Sequence, residues 1–228
     1  LSTPARGFAT TQQRITIPGV DDLLIRSLFD RRQFHDPAGQ AERLGISSAH
    51  WPLFGLLWPS GALLAARLAA RPVRVGERIL EVGCGLGLAS LVGHRRGADV
   101  TASDNHPLTA SFLHHNVRLN ALAPIKYRHG PWAPGAEARP APLGLFDLII
   151  GSDLLYDRDA STALGAFIGR HAAAAAEVWI VDPERGNRPG FSRQMAAFGF
   201  SAHEYRLDHA ALRGLPAYRG RMLSYCRG

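Results

Sequence analysis

The sequence predicts an α/β fold built on a doubly wound, mostly parallel sheet, and three observations carry that expectation. From Arg74 onward, short apolar runs alternate with helical stretches. A glycine-rich segment, EVGCGLG (81–87), sits between the first such run and the helical stretch behind it. The last two apolar runs have no helix between them. Parallel strands buried on both faces read as continuous apolar segments, and joining them requires helical crossovers of one hand.

Residues 1–59 stand outside the alternation and are expected to form an N-terminal extension packed on the core, with 60–228 as the main domain. In the extension, RITIPGVDDLLIRSLFD reads as a strand, a turn and a second apolar segment. A polar stretch leads to HWPLFGLLWPSG, and GALLAARLAARP is a short amphipathic helix ended by Pro72. Four strand–helix pairs follow: RILEVG with LASLVGHRR, ADVTASD with HPLTASFLHHNVRLN, LFDLIIGSD with DASTALGAFIGRHAAAAA, and EVWIVD with a looser FSRQMAAF. HAAAAAE reads as an alanine-rich helix end. FSAHEYRL and GRMLSYC are expected to pair as an antiparallel C-terminal hairpin closing one edge. The Gly-, Pro- and Ala-rich segment 129–144 is expected to be a surface loop.

Composition narrows the function classes. A chain of 228 residues, 46% hydrophobic, suffices for one full core. No apolar run approaches the roughly 20 residues of a membrane span, and the start lacks the pattern of a secretory leader. Cys84 and Cys226, the two cysteines, make neither a disulfide framework nor a metal site, so a reducing cytoplasm and no metal are expected. His114 and His115 are adjacent and diverge on a helix, which does not suit a shared ion. The net charge is +7, but Lys126 is the only lysine and the arginines are scattered, with no basic run interleaved with aromatics. That distribution argues against a nucleic-acid partner. Neither a G-x-S-x-G elbow nor a Cys/His nucleophile pattern is present.

Glycines at 83, 85 and 87 let a strand-to-helix turn approach a ligand that a Cβ would block. The dinucleotide fingerprint G-x-G-x-x-G would need glycine at 88, where Leu88 stands, and Glu81 would repel a pyrophosphate. Both points disfavour an NAD-dependent oxidoreductase. S-adenosyl-L-methionine suits the turn better, because it has no phosphate and carries an ammonium that Glu81 can hold directly or through water. Asp104, ending the second strand, can accept hydrogen bonds from both ribose hydroxyls. Gly83, Cys84, Gly85 and Gly87, with Asn105 behind Asp104, complete the expected cofactor contacts on this side.

Three further motifs accompany the turn: LLWPSG (56–61), HHNVRLN (114–120) and FDLIIGSDLLYD (146–157). With them the chain resembles the class I, seven-strand S-adenosylmethionine-dependent methyltransferases over roughly residues 56–200. It is most similar to their protein-methylating branch, which includes calmodulin-, valosin-containing-protein- and electron-transfer-flavoprotein-lysine methyltransferases. The resemblance implies a seven-stranded, Rossmann-like methyltransferase fold, S-adenosyl-L-methionine as cofactor, and a protein substrate with lysine the favoured acceptor. It also implies a D-x-x-Y motif in Asp153 and Tyr156, with Trp58, Ser152 and Trp132 beside the cofactor. One departure stands out. The family often has an acidic residue just before the tryptophan after the third strand, whereas here Gly130 and Pro131 precede Trp132, leaving adenine to Trp132 stacking or backbone groups.

Because FDLIIG reads as a strand, Ser152, Asp153 and Tyr156 fall at the carboxyl edge, where ligands of open α/β sheets gather. Asp153 can accept a hydrogen bond from an amine and aim its lone pair at a methyl group. Tyr156 can face the sulfonium or the ammonium through cation–π attraction. The alternative is that Asp153 caps the following helix and Tyr156 packs beside it. Trp58 is either a core aromatic or part of a cofactor lid. In DPERGNRPG (182–190), Arg185 or Arg188 contacts substrate, or the loop is simply solvated. A small-molecule amine substrate and a non-catalytic cofactor-binding scaffold are the competing functions.

Overall fold

The computed structural model describes residues 7–130, 143–209 and 217–228. Its elements are β1 Thr10–Ile15, β2 Leu23–Leu28, α1 Gln40–Arg43, α2 Pro59–Ala70, β3 Arg78–Val82, α3 Leu88–Arg95, β4 Asp99–Asp104, α4 Thr109–Leu119 and β5 Lys126–His129. Then come β6 Phe146–Ser152, α5 Arg158–His171, β7 Ala172–Asp182, α6 Arg188–Ala197, β8 Ser201–His209 and β9 Tyr218–Arg227. A 3-10 turn, Trp51–Gly55, precedes α2.

The main sheet has seven strands in the order β5-β4-β3-β6-β7-β9-β8. Strands β3 to β7 are mutually parallel, and β9 runs antiparallel to both β7 and β8. This is the doubly wound sheet with an antiparallel C-terminal pair that the sequence pattern predicts. The second strand of the pair lies inside, between β7 and β8, so FSAHEYRL forms the outer edge. One apolar cluster gathers α2, α3 and α4 on one face, and a second gathers α5 and α6 on the other. Ile79, Leu80, Ile149 and Ile150 are at most 2% exposed, which is why these strands read as unbroken apolar runs.

The alanine stretch departs from expectation. Helix α5 ends at His171, and Ala172–Ala176 belong to β7. Alanine's helix propensity is outweighed by pairing: Phe146 sits opposite Ala172, Leu148 opposite Glu177, and the extra residues bulge out between them. Arg227 holds the bulge by donating from Nη2 to the carbonyls of Ala172 (3.0 Å) and Ala173 (2.8 Å).

The segment before α2 is tied to the core by two amides. Strands β1 and β2 form a separate antiparallel pair, which leaves the other edge of β2 open. Asn116 and Asn120, one turn apart on α4, fill that edge. The Asn116 Oδ1 accepts from Arg26 N at 2.8 Å and its Nδ2 donates to Arg26 O at 3.3 Å. Asn120 treats Leu24 the same way, at 2.9 and 2.8 Å. The paired asparagines thus mimic a neighbouring strand, satisfying backbone groups that would otherwise lie unpaired against a helix.

Candidate functional site

Chain order runs outward from β3 to β5 on one side and from β6 to β7 on the other, so the topological switch lies between β3 and β6. The crevice beyond their carboxyl ends is where ligands bind in such sheets. The glycine turn 83–87 leaves β3 there, and Asp153 leaves β6 beside it.

Gly85 has φ +50°, and a Cβ on it would come within 2.8 Å of the Phe54 carbonyl oxygen. The turn therefore needs glycine at 85 against the chain's own backbone, because the 3-10 turn of residues 51–55 lies directly on it. Gly87, at φ +74°, precedes α3 and has no side chain with which to cap it. Glu81 supplies the cap instead: its Oε2 accepts from Ser90 N at 2.7 Å and from the Ser90 hydroxyl. That satisfies one of the N–H groups a helix start leaves open. Burial pushes the Glu81 carboxyl up to about 7, with Asp104 adding to the effect and the Ser90 bonds opposing it.

Asp104, 8% exposed, accepts from Gly85 N through Oδ2 and from His106 N through Oδ1, both at 2.8 Å. Burial raises its carboxyl above the ordinary range. Cys84 is buried, its N–H donates to Ser103 O at 3.0 Å, and burial holds its thiol well above the usual value. The Asn105 Oδ1 and Ser103 Oγ are buried without a hydrogen-bond partner among the described residues. Next to them Gly130 N donates to Asp104 O at 3.1 Å, and a Cβ on Gly130 would collide with Ser103 Oγ. A side chain at 130 would therefore need the Ser103 hydroxyl to turn aside, and Pro131, which stands where the family often has its acid, lies outside the described residues. Trp132 lies outside the described residues.

On the acceptor side, Asp153 takes the left-handed conformation at φ +56°. Its N–H donates to Val181 O at 2.8 Å. It does not cap α5; Asp157 does, accepting from Ala160 N at 2.9 Å. The Asp153 carboxylate instead grips Arg185 with two bonds, Nε to Oδ1 at 2.7 Å and Nη2 to Oδ2 at 2.9 Å. Arg188 points elsewhere and pairs with Glu204. Tyr156 is 41% exposed, with its ring 5.7 Å from that of His50. Ser152 ends β6 half-buried, behind the first turn of α2. Trp58 is half-buried and donates from Nε1 to Leu53 O at 2.9 Å, bracing the entry to α2.

Beside Asp153 opens a cleft of about 390 Å³, bounded by Ser60, Glu184, Arg185, Tyr218 and Arg219. The Tyr218 hydroxyl lies 3.0 Å from Ser60 Oγ, and burial pushes its phenol up to about 12. Behind the cleft Asp182 is fully buried, accepting from Arg185 N through Oδ2 at 3.2 Å. Its Oδ1 has no partner among the described residues. Sequence inspection did not single out Ser60, Asp182 or Tyr218 as site residues. Nothing local marks them, because the cleft joins α2, β7 and β9 across more than half of the chain.

This strand order, with a glycine turn at the switch point, is that of the Rossmann-like methyltransferase fold. A methyltransferase structure from Pyrococcus furiosus superposes with a TM-score of 0.57 over 83% of this chain and 98% of that one, at 16% identity. More particularly, the chain belongs to the lysine methyltransferase family, whose model matches residues 53–191. It is 29% identical to the protein N-lysine methyltransferase METTL21A of Danio rerio over 54% of each chain. It is 30% identical to the electron transfer flavoprotein beta subunit lysine methyltransferase of Xenopus laevis, over 59% of this chain and 53% of the relative. The chain spans about half the length of the curated relatives it matches. Among the described residues no helix is long and apolar enough to cross a membrane.

Proposed function

We propose that this chain transfers a methyl group from S-adenosyl-L-methionine to a side-chain nitrogen of a protein, with lysine the first choice of acceptor. The observation that carries the reading is the position of Asp153, a carboxylate held at the mouth of the crevice next to the glycine turn. Family membership supplies the reaction type. The two free cysteines favour a reducing, cytoplasmic setting.

The residues around β4 fit the cofactor. Asp104 keeps lone pairs beyond those given to Gly85 and His106, and the unpartnered Asn105 Oδ1 and Ser103 Oγ lie beside it. Buried polar atoms left open in this way are costly unless something fills them, and an adenosine offers donors for each. When bound, the cofactor supplies an electrophilic methyl on a sulfonium. The chain's share is to bind, to orient and to exclude water. An acceptor ammonium must first give up a proton to water, since only the neutral amine has a lone pair to offer. Asp153 accepts a hydrogen bond from the remaining N–H and so aims the lone pair.

Asp104→Ala should weaken binding of S-adenosylhomocysteine by about 1–3 kcal/mol, the scale of losing hydrogen bonds to a charged group. Calorimetry gives the number, and an unchanged affinity removes Asp104 from the ribose site. The reaction itself is tested with methyl-labelled cofactor and a cell lysate fractionated by size. Label on a protein band supports the proposal. Label only among small molecules makes the acceptor a small amine, and no label in either fraction leaves a cofactor-binding scaffold.

A further inference from the structure

The described carboxylates of the acceptor cleft are already paired with arginines. Asp153 is the carboxylate the amine must reach, yet both of its oxygens are already engaged by Arg185. The other acid lining the cleft among the described residues, Glu184, is held by Arg221 at 3.0 Å. Arg219 lines the same cleft. The lining thus balances two acids, Asp153 and Glu184, with two arginines, Arg185 and Arg219, and the buried Asp182 lies behind them. An arriving ammonium must therefore displace a guanidinium to reach either carboxylate.

Resting on the lysine-methylation reading, we infer that Arg185 occupies the place of the acceptor's ammonium and selects substrates that bring a carboxylate next to the target amine. The two ion pairs then exchange partners: the incoming amine takes Asp153, and the neighbouring substrate carboxylate takes the guanidinium. The geometry supports a guanidinium that swings while its base stays fixed. The Asp153 side chain is 11% exposed, whereas that of Arg185 is 40% exposed, so the arginine is the partner with room to leave. Its backbone is anchored by the bond from Arg185 N to Asp182, between Glu184 at φ +62° and Gly186 at φ +86°. Asp153 is the enclosed member of the pair, so it is better served by exchanging partners than by standing unpaired while Arg185 turns to solvent. An amine lacking a nearby carboxylate must displace Arg185 with nothing offered in return, and this sets the selectivity.

The test measures peptide binding in the presence of S-adenosylhomocysteine. Short fluorescent peptides carry a central lysine flanked on both sides by glutamate or by glutamine. Wild-type protein should bind the glutamate peptide roughly tenfold tighter than the glutamine one. In Arg185→Gln that ratio should fall to about threefold or less, with the glutamine peptide binding tighter than it does to wild type. Arg185→Lys keeps a cation and should retain part of the preference. Arg188→Gln, which removes an arginine that does not reach Asp153, should leave the ratio unchanged; a loss there equal to that in Arg185→Gln reduces the effect to general attraction and overturns the inference. So does equal binding of the two peptides, or the absence of binding by either. Because the readout is binding, a failed methyl transfer in the lysate would sink the proposed reaction and leave this result standing. Transfer to protein with no peptide preference would sink only the exchange.

Discussion

Asp153→Asn should lower methyl transfer by at least about 10²-fold, equivalent to about 2.7 kcal/mol of transition-state stabilisation, with little change in S-adenosylhomocysteine affinity. Asparagine is the right probe because Asp153 sits at φ +56°. Asparagine enters that left-handed region more readily than most residues, so the exchange removes the charge without adding backbone strain. The side-chain amide can still accept one bond from Arg185, and a pair whose arginine is 40% exposed contributes little to stability. The melting temperature should therefore move little. Had Asp153 been a helix cap, the variant would have kept full transfer, since asparagine caps about as well as aspartate. Asp157 fills that role, so near-normal transfer in Asp153→Asn would mean that the amine is held elsewhere along the sheet edge. Labelled transfer, product-analogue binding and melting measured on one preparation separate these outcomes.

What the sequence made legible follows from burial. Strands β3, β4, β6 and β7 are covered on both faces, and their apolar runs stand out between helices. Strand β5 does not: KYRH is four residues long, mostly exposed, and held by pairing with β4 alone. The alanine stretch misled because alanine's preference is local while the pairing that overrides it is not. At the site, the glycine turn and D-x-x-Y were visible because each is contiguous. The link from Asp153 to Arg185 spans 32 residues and depends on β6 and β7 lying side by side. The same holds for Ser60 and Tyr218, 158 residues apart. HHNVRLN was noticeable as a motif, but the work of its asparagines appears only once β2 is seen lying open against α4.

Trp51→Ala should destabilise the protein by about 3–5 kcal/mol, the range for truncating a buried aromatic. Trp51 is 1% exposed and touches four rings: Phe8 at 5.7 Å, Phe34 at 5.9 Å, Phe54 at 5.8 Å and His106 at 5.6 Å. Two of these contacts reach opposite parts of the chain. Phe8 belongs to the segment leading into β1, while His106 follows Asp104 on the cofactor side and stacks on Phe54 at 3.7 Å. An alanine leaves a cavity between them that these rings cannot close, because Phe54 is also fixed by its carbonyl against Gly85. The loss should therefore register twice. Urea unfolding should show the lower stability, and S-adenosylhomocysteine binding should weaken as well, since His106 and the glycine turn lose their support. The conservative variant Trp51→Phe, which keeps an aromatic ring in the site, should recover most of both. If Trp51→Ala instead unfolds within about 1 kcal/mol of wild type and binds the product normally, residues 1–59 are a peripheral addition and the cofactor crevice stands without them.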